Sequence, residues 1–171
     1  MAEYFKIGKF VAAYGLKGEL ILKHSLGQRT AFKGLQAFFI EDGKDRFLPW
    51  FLESARVKTD DETYIQLQDL ITREKALRLS SREVWLEETD FHKFSSKTAP
   101  ISFLGFMVVD DGKALAPILE VIEQPHQVLC RIELEGKEAL IPLNEQTIKS
   151  EHPRQGVRPG LQLISKSSCV A

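Results

Sequence analysis

Cys130 stands four residues after His126, and a thiol beside a base is the arrangement that attacks a carbonyl carbon. The local pattern points elsewhere. On an extended strand Val128, Cys130, Ile132 and Leu134 share one face, so Cys130 reads as a small core residue. The nucleophile elbow G-x-S-x-G is absent. His24, His92, His126 and His152 are scattered without a cysteine pair or an HExxH spacing, so no metal is assigned. Neither GxxxxGK[ST] nor a strand-turn-helix GxGxxG occurs, which leaves no loop to cradle a nucleotide and no cofactor to expect. The acid clusters Asp60-Asp61-Glu62 and Asp110-Asp111 fall at turns, where solvated carboxylates are the default. No catalytic site is expected.

Binding chemistry remains. Gly15-Leu16-Lys17-Gly18 spells the GxxG with which a KH loop clamps a nucleic-acid backbone, but that loop joins two helices, and both flanks here alternate like strands. A tight β-turn with an outward lysine fits better. The net charge of −1 hides an asymmetry: residues 1–33 carry Lys6, Lys9, Lys17, Lys23, Arg29 and Lys33 against Glu3 and Glu19, whereas residues 34–90 are dominated by acids. A basic front suits phosphate, and an acidic block attracts a cationic partner and repels bare RNA.

The elements that must position these groups are mostly strands. Alternation runs through 5–12, 19–23, 36–40, 47–52, 83–86, 128–134 and 138–141, broken by turn chemistry at 14–18, Asp42-Gly43, Asp111-Gly112 and Glu135-Gly136. Asp42-Gly43 is the dipeptide of two-residue hairpins. Ile71 to Leu79 is rich in helix formers, with Thr72 as N-cap and a hydrophobic staple expected between Ile71 and Ala76. After Leu86 the period lapses, and 91–100 reads as a linker between a domain at 1–90 and another at 101–171, each near the size where a lone core is marginal. The tail from Ser165 to Ala171 is expected to fray. Phe38, Phe39, Phe47, Trp50, Phe51 and Trp85 lie in strand-like runs and are expected in the core. Tyr14 on the turn, and Phe91 and Phe94 in the polar stretch, are left for either packing on the first domain or contact with something else. No apolar run approaches the ~20 residues of a membrane helix, and the amino terminus lacks a secretory pattern. With two scattered cysteines, Cys130 and Cys169, a cytoplasmic setting follows.

Ile7-Gly8-Lys9-Phe10-Val11-Ala12-Ala13-Tyr14-Gly15-Leu16-Lys17-Gly18-Glu19-Leu20 resembles the opening signature of the RimM family. Tyr64 to Leu67, Ile71 to Leu79 and Val84 to Leu86 are similar to the end of that family's first domain, and Leu104-Gly105, Leu119 to Glu123, Ala139 to Leu143 and Pro159-Gly160-Leu161 to its PRC-barrel. The resemblance implies an all-β chain of two small barrels, the first with one short helix, joined by the linker. It also implies a non-enzymatic, monomeric assembly factor without membrane contact. Its partners would be the small ribosomal subunit precursor, ribosomal protein S-nineteen and 16S rRNA. The other reading is a PRC-barrel scaffold for a non-ribosomal complex. Lys9, Tyr14, Lys17 and Lys23 are then the candidates for RNA contact, and Gly8, Gly15, Gly18 and Gly105 the structural turn glycines. Two departures stand out. Thr98 to Phe103 replaces the family's aromatic group before Leu104-Gly105, so those functional aromatics have no counterpart, and Ser80-Ser81 replaces the usual glycine after the helix.

Overall fold

In the computed structural model, which describes residues 2–110, 113–144, 149–150 and 160–162, the chain divides into two units, Met1–Ser102 and Phe103–Ala171. The first is built from β1 (Tyr4–Tyr14), β2 (Glu19–His24), β3 (Ala37–Glu41), β4 (Phe47–Val57), β5 (Glu62–Leu67) and β6 (Glu83–Glu87). They pair in the order β1-β2-β5-β4-β3-β6, and β6 returns to β1 to close a barrel. The strict alternation of buried and open residues in β2, β5 and β6 is what lets one face fill the interior. Ile7, Phe10, Leu20, Leu22, Phe38, Ile65, Leu67, Val84 and Leu86 meet there, each fully buried. Every such side chain contributes about 1.5 to 3 kcal/mol of transfer free energy. The eleven-residue β1 shifts register between Lys6 and Gly8 and again between Phe10 and Ala12, and these bulges bend one strand enough to pair with β6 and β2 at once.

Two helices accompany the barrel where one was expected. α1 (Arg73–Leu77) starts at Thr72, whose hydroxyl accepts from the Lys75 amide at 3.3 Å. The expected staple is not what covers Ala76: Ala76 is buried, yet Ile71 stands 68% exposed. α2 (Glu88–Phe94) occupies the start of the stretch read as a linker. Its Phe91 packs on Phe5 at 4.9 Å between centroids and its Phe94 on Phe32 at 5.4 Å, so both rings belong to the first unit. Their spacing of three is a helical period that the polar neighbours disguise.

The aromatic expectation needs correcting. Phe38 is in the core, but Phe39, Phe47 and Trp85 lie on the outside of the barrel with Tyr4. Phe51 is 52% exposed. Side chains of period two fill both faces of a strand, and Phe38-Phe39 supplies one ring to each. In that outer cluster the buried Trp85 indole nitrogen has no acceptor among the described residues. The Asp42-Gly43 hairpin also differs from a two-residue turn. β3 ends at Glu41 and β4 begins at Phe47, with Gly43 and Asp45 both at positive φ.

The second unit contains β7 (Met107–Asp110), β8 (Lys113–Pro117), β9 (Glu120–Gln124), β10 (Gln127–Leu134), β11 (Lys137–Leu143), β12 (Lys149–Ser150) and β13 (Gly160–Gln162). Among the described residues they form two sheets, β11-β10-β9 and β12-β13-β7-β8. Glu135 and Gly136, at φ of 50° and 78°, make the two-residue turn from β10 to β11. Cys130 and Ile132 are buried on the inner side of β10, where burial pushes the Cys130 thiol up to about 11. A thiol held protonated at neutral pH is no nucleophile. The turn expected at Asp111-Gly112, together with His152, Pro159, Cys169 and the tail from Ser165, lies outside the described residues.

Candidate nucleic-acid interface

The turn from β1 to β2 is held from below by α1. Gly18 sits at φ +83° so close to the chain that a Cβ would run into the Leu70 carbonyl, and Arg73 Nη1 donates to the Gly15 carbonyl at 3.2 Å. Gly15, at φ +64°, has open space around it and needs glycine for its backbone alone. Gly8 is tight for another reason, because a Cβ there would meet the Lys23 carbonyl across the ladder. Gly105, also at positive φ, donates its amide to Ile118 in the second unit at 2.9 Å. At the tip of the turn Lys17 is exposed, and Leu16 is 84% exposed.

Barrel closure sets the neighbours of this turn. Tyr14 pairs with Glu19 across β1 and β2, while Ile21 pairs with Tyr64 and Tyr64 with Arg56 across β2, β5 and β4. The Tyr14 and Tyr64 rings meet at 4.6 Å and 45°. The Arg56 guanidinium lies 4.2 Å from the Tyr64 centroid and 5.8 Å from that of Tyr14, and is held by Glu19 at 3.2 Å. Further along the same ladder Lys9 faces Lys23, and Lys23 faces Glu62. From Lys9 to Tyr14 is five residues of strand, about 17 Å.

The charges on this face divide cleanly. Lys23 is 3.7 Å from Asp61, Arg56 pairs with Glu19, and Lys58 pairs with Glu62. Those bonds set the local ionisation: the Thr59 hydroxyl first, then Lys23, holds the Asp61 carboxyl below its usual range, and the bond to Glu62 raises Lys58. Lys9, Lys17 and Arg73 make no ion pair among the described residues. Nearby Lys6 and Arg29 are matched by Glu83 and Asp60. Lys17 and Arg73 therefore stand without an ion pair at the turn of the exposed Tyr14, and Lys9 lies further along β1, with Glu83 opposite it on β6.

Of the residues singled out in the sequence, Lys9, Tyr14 and Lys23 lie on one outer face of the barrel, Lys9 opposite Lys23, and Lys17 is exposed at the tip of the adjoining turn. Tyr64, Arg56, Arg73 and Leu16 join them and were missed. The outward position of Tyr64 follows from the alternation Thr63-Tyr64-Ile65, but nothing local in the sequence says that β5 pairs with β2.

A family model described as the RimM N-terminal domain matches residues 5–91, a little over half of the chain. This chain belongs to the RimM family. Among its relatives are proteins called ribosome maturation factor RimM from Parabacteroides distasonis, 30% identical over 93% of each chain, and from Phocaeicola vulgatus, 31% identical over 85% of this chain and 86% of the other. A third, from Christiangramia forsetii, is 26% identical over 86% and 85%. In this RimM-family chain Ser81, at the place where the resemblance leads one to expect a glycine, adopts φ 70°, a left-handed conformation that favours glycine. In the stretch where the resemblance leads one to expect an aromatic group, Pro100–Phe103 forms a 3-10 turn in which Ile101 is buried, and the half-buried Phe103 ring meets Phe106 edge-on at 5.8 Å.

Proposed function

We propose that this RimM-family chain is a ribosome maturation factor that works by binding, without catalysis, as a cytoplasmic monomer. On this reading it holds 16S rRNA of the small-subunit precursor through the outer face of β1, β2, β5 and β4. Ribosomal protein S-nineteen is its protein partner, and the chain divides into a RimM amino-terminal barrel at 1–90 and a PRC-barrel at 101–171 joined by 91–100, of which the part within α2 packs on the first barrel. The observation that carries the RNA contact is the pair of cations without an ion pair, Lys17 and Arg73, at the turn of the exposed Tyr14, with Lys9 further along β1, which suits phosphates and needs no nucleophile. The shared name of the relatives supports the ribosomal role. No helix among the described residues is long and apolar enough to cross a membrane.

The test is affinity purification of the tagged chain from growing cells. Recovery of immature small subunits together with S-nineteen is the expected outcome. Recovery of a non-ribosomal complex alone would favour a scaffold role and overturn the proposal.

A further inference from the structure

We infer that the face around Tyr14 takes an unpaired nucleotide of RNA, the base stacking on the open side of the Tyr14 ring while Lys17 and Arg73 hold the flanking phosphates. This rests on the RNA-binding reading above and adds the kind of RNA and the mode of contact. The Tyr14 ring is 43% exposed, although its other side leans on Tyr64. Tyr64 is in turn stacked by Arg56, and Arg56 is fixed by Glu19. The ring is thus ordered before anything binds, which keeps the entropic cost of recruiting it small. A base within a duplex has both faces covered by its neighbours, whereas an unpaired base offers one to an aromatic side chain. The unpaired cations lie at the same turn, Arg73 being bonded to the Gly15 carbonyl and Lys17 two residues further on.

The face holds little that would read a base edge. Gln66, the amide on β5, donates to the Leu67 and Leu70 carbonyls at 3.3 and 2.7 Å and is already engaged. Discrimination between bases should be slight, as it is wherever stacking dominates. An acidic polypeptide would satisfy the cations but would leave the supported ring without a planar partner.

The experiment uses the full chain and a fluorescein-labelled oligoribonucleotide dodecamer, read by anisotropy, as a single strand and annealed to its complement, with polyglutamate as a competing anion. Tyr14→Leu should weaken single-strand binding about tenfold and leave duplex binding unchanged. Tyr14→Trp should restore or tighten it, and Lys17→Ala should weaken both forms alike. Circular dichroism melts confirm that each variant is folded. If Tyr14→Leu has no effect, or weakens strand and duplex equally, while Lys17→Ala still weakens binding, stacking is wrong and the RNA-binding reading survives. If the wild type binds neither RNA, or polyglutamate displaces it at equal charge concentration, the RNA-binding reading itself falls.

Discussion

His24 is a histidine whose protons are fixed by its surroundings. Nδ1 accepts from the Leu26 amide at 3.4 Å, so Nε2 carries the proton and faces the Thr63 hydroxyl at 3.5 Å. That hydroxyl in turn donates a hydrogen bond to the Thr30 carbonyl at 2.9 Å. Desolvation lowers the His24 pKa below 6.5, against a smaller pull upward from Asp61. The unfolded chain therefore binds the extra proton more readily than the folded one. The stability contribution is complete above pH 6.5 and is lost as pH falls from there toward the folded value. Urea midpoints measured between pH 7.5 and 5.5 should fall for the wild type and stay flatter for His24→Gln. Ser81 shows a different kind of constraint. At φ 70° a non-glycine residue is strained, and Ser81→Gly should raise stability by roughly 0.5 to 1 kcal/mol, while Gly15→Ala at φ +64° should lower it by about 1 kcal/mol or more. Denaturant midpoints at constant m-value check both.

Among the elements, α2 depends most on its apolar residues. Its N-cap is Glu87 without a side-chain cap bond, and seven residues are too few to hold a helix by propensity. Phe91 against Phe5 and Phe94 against Phe32 hold it in place, and Phe91→Ala should cost about 3 to 5 kcal/mol by equilibrium unfolding. The element also marks how far the sequence could be read. β2, β5 and β6 bury one face and leave the other open, so period two was visible, and Thr72 is a cap that any helix start would use. α2 was hidden because its two buried rings sit among Glu88, Asp90, His92 and Lys93, which solvate the opposite side. The outer cluster of Tyr4, Phe39, Phe47 and Trp85 was hidden because ring closure, and not local pattern, decides which neighbours cover an outward aromatic. The same holds for the candidate site. Gly15-Leu16-Lys17-Gly18 announced a turn, but Arg56 and Tyr64 reach it only through the pairing of β2 with β5 and of β5 with β4.

For the molecule as a whole, the attraction toward RNA is set on the proposed face by the three cations there that make no ion pair among the described residues. With Lys9, Lys17 and Arg73 each neutralising one phosphate of a single strand, log affinity should fall with log salt at a slope of about −2, and Lys17→Ala should reduce the slope by about 0.7. Titrations at several potassium chloride concentrations measure both values. So shallow a dependence means that free RNA is held weakly, and that firm attachment requires additional surfaces on a larger target.

Lys9 and Lys23 sit directly opposite one another on β1 and β2, and Asp61 neutralises only the second. Like charges opposed across a ladder push their strands apart by roughly a few tenths of a kcal/mol, which Glu83 opposite Lys9 on β6 and Glu62 opposite Lys23 on β5 offset only in part because Lys6 and Lys58 share them. Dissolved ions should thus have contrary influences on this protein, loosening its grip on a polyanion while relaxing the empty barrel. A phosphate lodged beside that couple would mend the mismatch, so occupancy itself should make the fold more heat-resistant.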